Sequence, residues 1–244
     1  MNDSPDWLTI GENMVGPLLR DTSVRLESYS GPEIHIAQLP TIALIHFAHS
    51  LQTSIDANQQ GRHAVAIALL RHCVESLTII ELGLTDAKFS YPLLEKWHSG
   101  KKSQGKLRQE LERRIWPRYG TGLWEKTWTD HLARLAKAVQ PYAHFSPELI
   151  QWNFEVLSSY SSGRFLTTFG PGTYDATKAS RLTVFHIIAS WTLGRILHAN
   201  GPPPDALVSP EDIVDLGFAL ADCEFLIEGE DWSVQFWPHM FFKR

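Results

Sequence analysis

The chain has 244 residues, 43% of them hydrophobic and 20% charged, with a net charge of −5. That length holds one large core or two small ones, and the acidic balance excludes a globally basic nucleic-acid binder while leaving room for a local basic patch. Two cysteines are too few for a disulfide framework, which points to a reducing cytoplasm.

In chain order, helical periods dominate. The opening MNDSPDWLTIGEN lacks a basic region followed by an apolar run, so no signal peptide is expected. Val15 to Glu27 predicts a first helix, and Leu39 to Ala57 a second with Pro40 in its first turn. The run from Arg62 to Leu84 predicts a long central helix, apolar almost all round. It carries Arg71 and Glu75 four residues apart, on one face. Such a pair is expected to be buried, where a charge is expensive unless matched. Asp86 is a candidate cap. Further helices are predicted over Phe89–Trp97, Lys106–Trp116 and Leu123–Val139. Ser146-Pro147-Glu148 has helix-start chemistry for Leu149 to Leu157. Within Ser158–Thr173, Arg164 to Phe169 has the character of a short strand or hairpin arm. Asp175 to His198 predicts another apolar helix, ended by Asn200-Gly201 and three prolines. Ser209-Pro210-Glu211-Asp212 then starts a helix to Ile227, and the aromatic tail from Trp232 is expected to dock on the body. The fold class is therefore an all-α multi-helix bundle in a single domain, 1–244, with an internal corner at 200–208. No stretch is long enough for a membrane span.

Charge is segregated. Residues 95–118 carry eight basic and three acidic side chains, and residues 205–231 carry nine acids with no Lys or Arg. Within the basic block, Lys101, Lys102, Lys106, Arg108 and Arg114 are interleaved with Trp97 and Trp116, the pairing of cations and stacking faces that holds single-stranded nucleic acid. The string Gly100 to Lys106 fits G-x-x-x-x-G-K, but Leu107 stands where a magnesium-binding hydroxyl belongs and no strand precedes it; it reads as a basic turn that can touch phosphate. His46 and His49 share a helix face without a third ligand motif, so no metal and no cofactor are expected.

Leu69-Leu70-Arg71 with Glu75, followed by Tyr142, His144 and Ser146, resembles bacterial all-α families related to the HEPN superfamily over residues 40–160. The resemblance implies a HEPN-like core with additional helices, in which Arg71, Glu75 and His144 meet in a polar cluster. Catalytic members of that superfamily are metal-independent ribonucleases with an R-x4–6-H motif, often completed across a dimer. Arg181 and His186 form such a string here, although a regular helix sets them about 140° apart. Histidine suits removal of a proton from a 2′-hydroxyl, and arginine suits the charge that builds on phosphate. The functional expectation is a protein that binds or cleaves RNA in a defence or toxin setting, as a homodimer with residues 181–198 at the seam. The alternative is a non-catalytic module that binds a partner protein through a Trp-rich surface and an acidic C-terminal helix.

Overall fold

A computed structural model of the chain describes residues 4–143, 149, 152, 154–159, 165–169, 174–229 and 232. It is an all-α bundle of helices α1 (Asp6–Glu27), α2 (Ile34–Ala37), α3 (Leu39–Gln59), α4 (His63–Leu84), α5 (Ala87–His98), α6 (Gln104–Arg114), α7 (Trp128–Val139), α8 (Ala176–Ala199) and α9 (Pro210–Ala221). One antiparallel ribbon accompanies it, β1 (Phe154–Ser159) with β2 (Phe165–Phe169), Phe154 facing Phe169 and a bulge between Val156 and Ser158. The second strand falls where the hairpin arm was expected. The helix expected over Leu149 to Leu157 is corrected in its second half, where Phe154 to Leu157 belong to β1 and are drawn into the ladder with β2; its start at Ser146 lies outside the described residues.

Helix α4 is the centre. Sixteen of its residues are buried, including every one from Ser76 to Leu84. It forms a helical hairpin with α3, closed by a Schellman motif: Arg62 N–H donates to Ala57 O (2.8 Å) and Gly61 N–H to Asn58 O (3.0 Å), with Gly61 left-handed at φ 74°. At the far end the two helices touch through a gap that admits no side chain. A Cβ on Gly83 would stand 2.2 Å from the ring of Pro40, which is pinned in the first turn of α3. Helices α1 and α8 cover the other side, and α9 packs on those two.

Several hydrogen-bonded polar groups cross this core. Ser54 of α3 donates to Ala66 O of α4 (2.6 Å), so its oxygen accepts from His186 Nε2 of α8 (2.6 Å). Asn58 donates to Ala179 O (2.9 Å) and accepts from His63 Nδ1 (2.8 Å); His63 Nε2 in turn accepts from the Asp175 N–H (3.1 Å). The corner between α8 and α9 is held from α1: buried Asp21 accepts from the N–H groups of Leu207 (2.8 Å) and Val208 (3.0 Å), and Arg25 donates to Gly201 O (3.0 Å). Helix α9 starts with the expected cap, a complete box in which Ser209 and Asp212 bond each other's N–H.

Three boundaries differ from expectation. Helix α1 begins nine residues early, because Trp7, Gly11, Met14 and Leu18 extend one apolar stripe toward the N-terminus. Helix α7 begins five residues late, because Trp124 and Glu125 take left-handed backbone (φ 52° and 55°) and Thr127 supplies the cap, accepting from Asp130 N–H at 3.1 Å. Helix α9 ends at Ala221 rather than Ile227. The aromatic surface also fails to appear. Among the described tryptophans none is exposed: Trp128, Trp191 and Trp232 close around His131, with Arg195 over two of the rings, and Trp7, Trp116 and Trp152 are buried elsewhere. Trp232 does bring the start of the tail onto the body. Helix α8 is enclosed within the chain from Val184 to Gly194, which removes the face expected to form a dimer seam. Among the described residues no helix is long and apolar enough to cross a membrane.

The Gly83–Pro40 contact is rigid on both sides, so Gly83→Ala should lose on the order of 2 kcal/mol, while Gly16→Ala, which meets nothing within 4 Å, should lose none. Urea unfolding of the two variants checks this through the shift in midpoint at constant slope.

Candidate functional site

Helices α4, α6 and α7 enclose a cleft of about 450 Å³. Arg71, Val74 and Glu75 form one wall, Ser103, Gln104, Gly105 and Arg108 the second, and Ala136, Val139 and Gln140 the third. The i,i+4 pair on α4 and the end of the glycine-flanked basic turn, separated by some thirty residues of chain, thus face one space.

Three hydrogen bonds from two side chains dock α6 on α4. Gln104 Nε2 donates to Glu75 O (2.6 Å), and Arg108 reaches Thr78 Oγ1 (3.2 Å) and Val74 O (3.4 Å). Arg71 donates through both Nε (3.0 Å) and an Nη (2.6 Å) to one oxygen of Glu75, and through its other Nη to Gln140 O (3.3 Å), next to the turn that carries Tyr142. Tyr142 is buried, its ring edge-on to Trp152. His144 lies outside the described residues.

The expectation of a buried Arg71–Glu75 pair is corrected. The two side chains are 24% and 35% exposed, on the rim of the cleft. Water screens them, and an arginine four residues before a glutamate is the weaker order on a helix. The carboxyl that is buried on α4 is Glu81, 2% exposed. It accepts from Trp116 Nε1 at 2.9 Å and bonds the hydroxyl of Tyr119, which itself accepts from Asn200 Nδ2 (2.6 Å). Withdrawal from water pushes Glu81 up to about 8, so it is neutral at pH 7. The signal for it was present in the sequence: Glu81 has Leu77, Thr78, Leu84 and Thr85 as its helical neighbours, whereas Glu75 has Arg71 and His72.

The basic block divides into committed and available cations. Lys102 (2.8 Å), Arg113 and Arg114 (3.9 Å) converge on Glu110, the bonds from Lys102 and Arg113 hold it below the usual carboxylate range, and Arg114 also lies over Phe89. Lys101 and Lys106 stand exposed at the turn, with no carboxylate within 4 Å among the described residues. Trp116 is in the core rather than on a stacking face; Trp97 is half-buried, in a groove with His46 and His72. Arg181 and His186 do not form a site together. His186 is 2% exposed, bonded to Ser54 and pushed down to about 3 by burial, and Arg181 lies partly buried near the start of α8. His46 and His49 are exposed, and no three potential metal ligands converge among the described residues.

No protein-family model, curated protein or solved structure matches the chain.

Glu81 generates a pH prediction. Folded, it keeps its proton to about pH 8; unfolded, it ionises near ~4.3. Its contribution is complete below the unfolded value and is lost as pH rises toward 8. The buried histidines, held neutral, act in the opposite sense below about pH 6.5, so the interval from there to pH 8 isolates Glu81. Glu81→Gln, which still accepts from Trp116, should gain stability over wild type as pH rises through that interval, by at most about 1.4 kcal/mol per unit. Urea titrations at two pH values measure the difference. A second cycle, Arg71→Ala and Glu75→Ala singly and together, should give a coupling of about 0.5 kcal/mol, as for an exposed helix pair.

Proposed function

We propose that the protein binds single-stranded RNA, with one phosphate in the cleft between Arg71 and Arg108 and neighbouring phosphates on Lys101 and Lys106. The observation that carries this reading is the shared cleft: two guanidinium groups line it beside the end of a basic turn, with Glu75 the one carboxylate of its lining among the described residues, in a chain of net charge −5. Two arginines at one opening suit a phosphate, since each presents a planar fork of donors. The likeness of the α4 segment to HEPN-related chains supports the same reading and supplies a HEPN-like core as its fold.

Binding is better supported than cleavage. A histidine acting as general base on a 2′-hydroxyl must titrate near neutrality and reach solvent, and His186 does neither. The cleavage reading therefore rests on His144 alone, and His144→Ala should abolish cleavage without weakening binding.

Fluorescence anisotropy with a labelled single-stranded oligonucleotide tests the binding. Lys101→Glu with Lys106→Glu should weaken it at least about tenfold without unfolding the protein, because both side chains are exposed. With three or four phosphates engaged, log K against log salt should fall with a slope of about −2 to −3. No binding at low salt, or equal binding by the double variant, would defeat the proposal.

A further inference from the structure

Behind the cleft lies a second cavity of about 200 Å³, bordered by Leu77, Trp116, Leu132 and Ile196, with Thr78 and Glu81 among its lining. Val74, Arg108 and Ala136 border both spaces, so Arg108 stands at the junction between a polar chamber and an apolar one. Among the described residues its guanidinium bonds the Thr78 hydroxyl and the Val74 carbonyl. Among the described residues no carboxylate approaches it within 4 Å. A largely desolvated cation with neutral partners retains most of its capacity to attract an anion. The apolar chamber has room for a ring, since a dry cavity of about 150 Å³ already admits benzene. Glu81 is neutral at pH 7 and does not repel an anion from within; Glu112 lines the chamber but is itself exposed to water.

We propose that Arg108 and the apolar chamber form a site for a small aromatic carboxylate, the carboxylate paired with the guanidinium and the ring lodged between Leu77, Leu132 and Ile196. The pairing is bidentate in chemistry: two carboxylate oxygens match two N–H groups of one fork. The ring supplies the remaining affinity by leaving water. Occupancy removes Arg108 from the RNA surface, so an aryl acid acts as a competitor of RNA; this clause alone rests on the RNA reading.

The test uses the full chain without RNA. Phenylacetate and 3-phenylpropionate are titrated by calorimetry and by following the Trp116 indole N–H in nitrogen–proton spectra. Acetate, inorganic phosphate and phenethylammonium serve as probes lacking the ring, the ring and the negative charge respectively. The expected result is saturable binding of the aryl acids with a shift of the Trp116 signal, at least about tenfold stronger than acetate or phosphate, and none of the amine. Arg108→Gln should lose that binding, and Ala136→Phe, which fills the chamber, should lose it too; Lys101→Glu with Lys106→Glu should keep it. Absence of binding by wild type up to about 10 mM overturns the proposal, as does equal binding of acetate or full retention by Arg108→Gln. RNA binding by the same wild-type sample is read separately, so failure here leaves the RNA reading standing, and the reverse.

Discussion

Helix α4 is apolar on nearly every face, and the rest of the chain is arranged to keep water from it. A helix of that kind is unstable alone and needs neighbours on all sides. Helix α3 meets it closely enough that a side chain at residue 83 would clash, α8 crosses it with His186 held in one tautomer by Ser54, and α6 docks on it through Gln104 and Arg108. The cleft exists because α6 and α7 cover the charged edge of α4 incompletely. Where Arg71 and Glu75 interrupt the apolar surface, the neighbours stand back and leave a space lined by their polar ends.

The electrostatics follow the same division. Charges needed for folding are cancelled locally: Glu110 gathers three cations, and Asp21 is satisfied by backbone N–H groups. The core titratable groups are kept neutral by burial, Glu81 by holding a proton and His131 and His186 by refusing one. Arg108, Lys101 and Lys106 gather near one opening with no carboxylate within 4 Å among the described residues. Concentrating positive charge there gives an acidic protein a local attraction for anions.

Local chemistry was legible in the sequence, and three-dimensional partnership was not. The central helix, the Asp86 cap, the Ser209 box and the second hairpin strand follow from periodicity and capping residues within a few positions of each other. The early start of α1 was hidden by polar residues on its solvent side, although its buried stripe continues at helical spacing. The kink at Trp124 carries no glycine to advertise it; that backbone is held by a bond from Trp124 Nε1 to Ala221 O (3.0 Å), nearly a hundred residues away. For the site, Arg71 and Glu75 were identifiable as a pair, but their depth was not. An i,i+4 relation fixes a common face and says nothing of what packs on it. Trp116 looked like a stacking platform because its neighbours are basic, yet a ring near charges in sequence points inward when the helix before it turns its apolar side to the core, as Leu107 and Leu111 do here.

The Asp21 clamp has a consequence for how the chain is made. Helix α1 is made well before its partners: the two N–H groups that satisfy its buried carboxylate belong to residues 207 and 208. Until those residues emerge, Asp21 has only water to bond, and α1 cannot settle into its final seat without stranding that charge. An element early in these 244 residues is thus completed by one late in them, and seating α1 with its carboxylate satisfied requires the corner that follows α8.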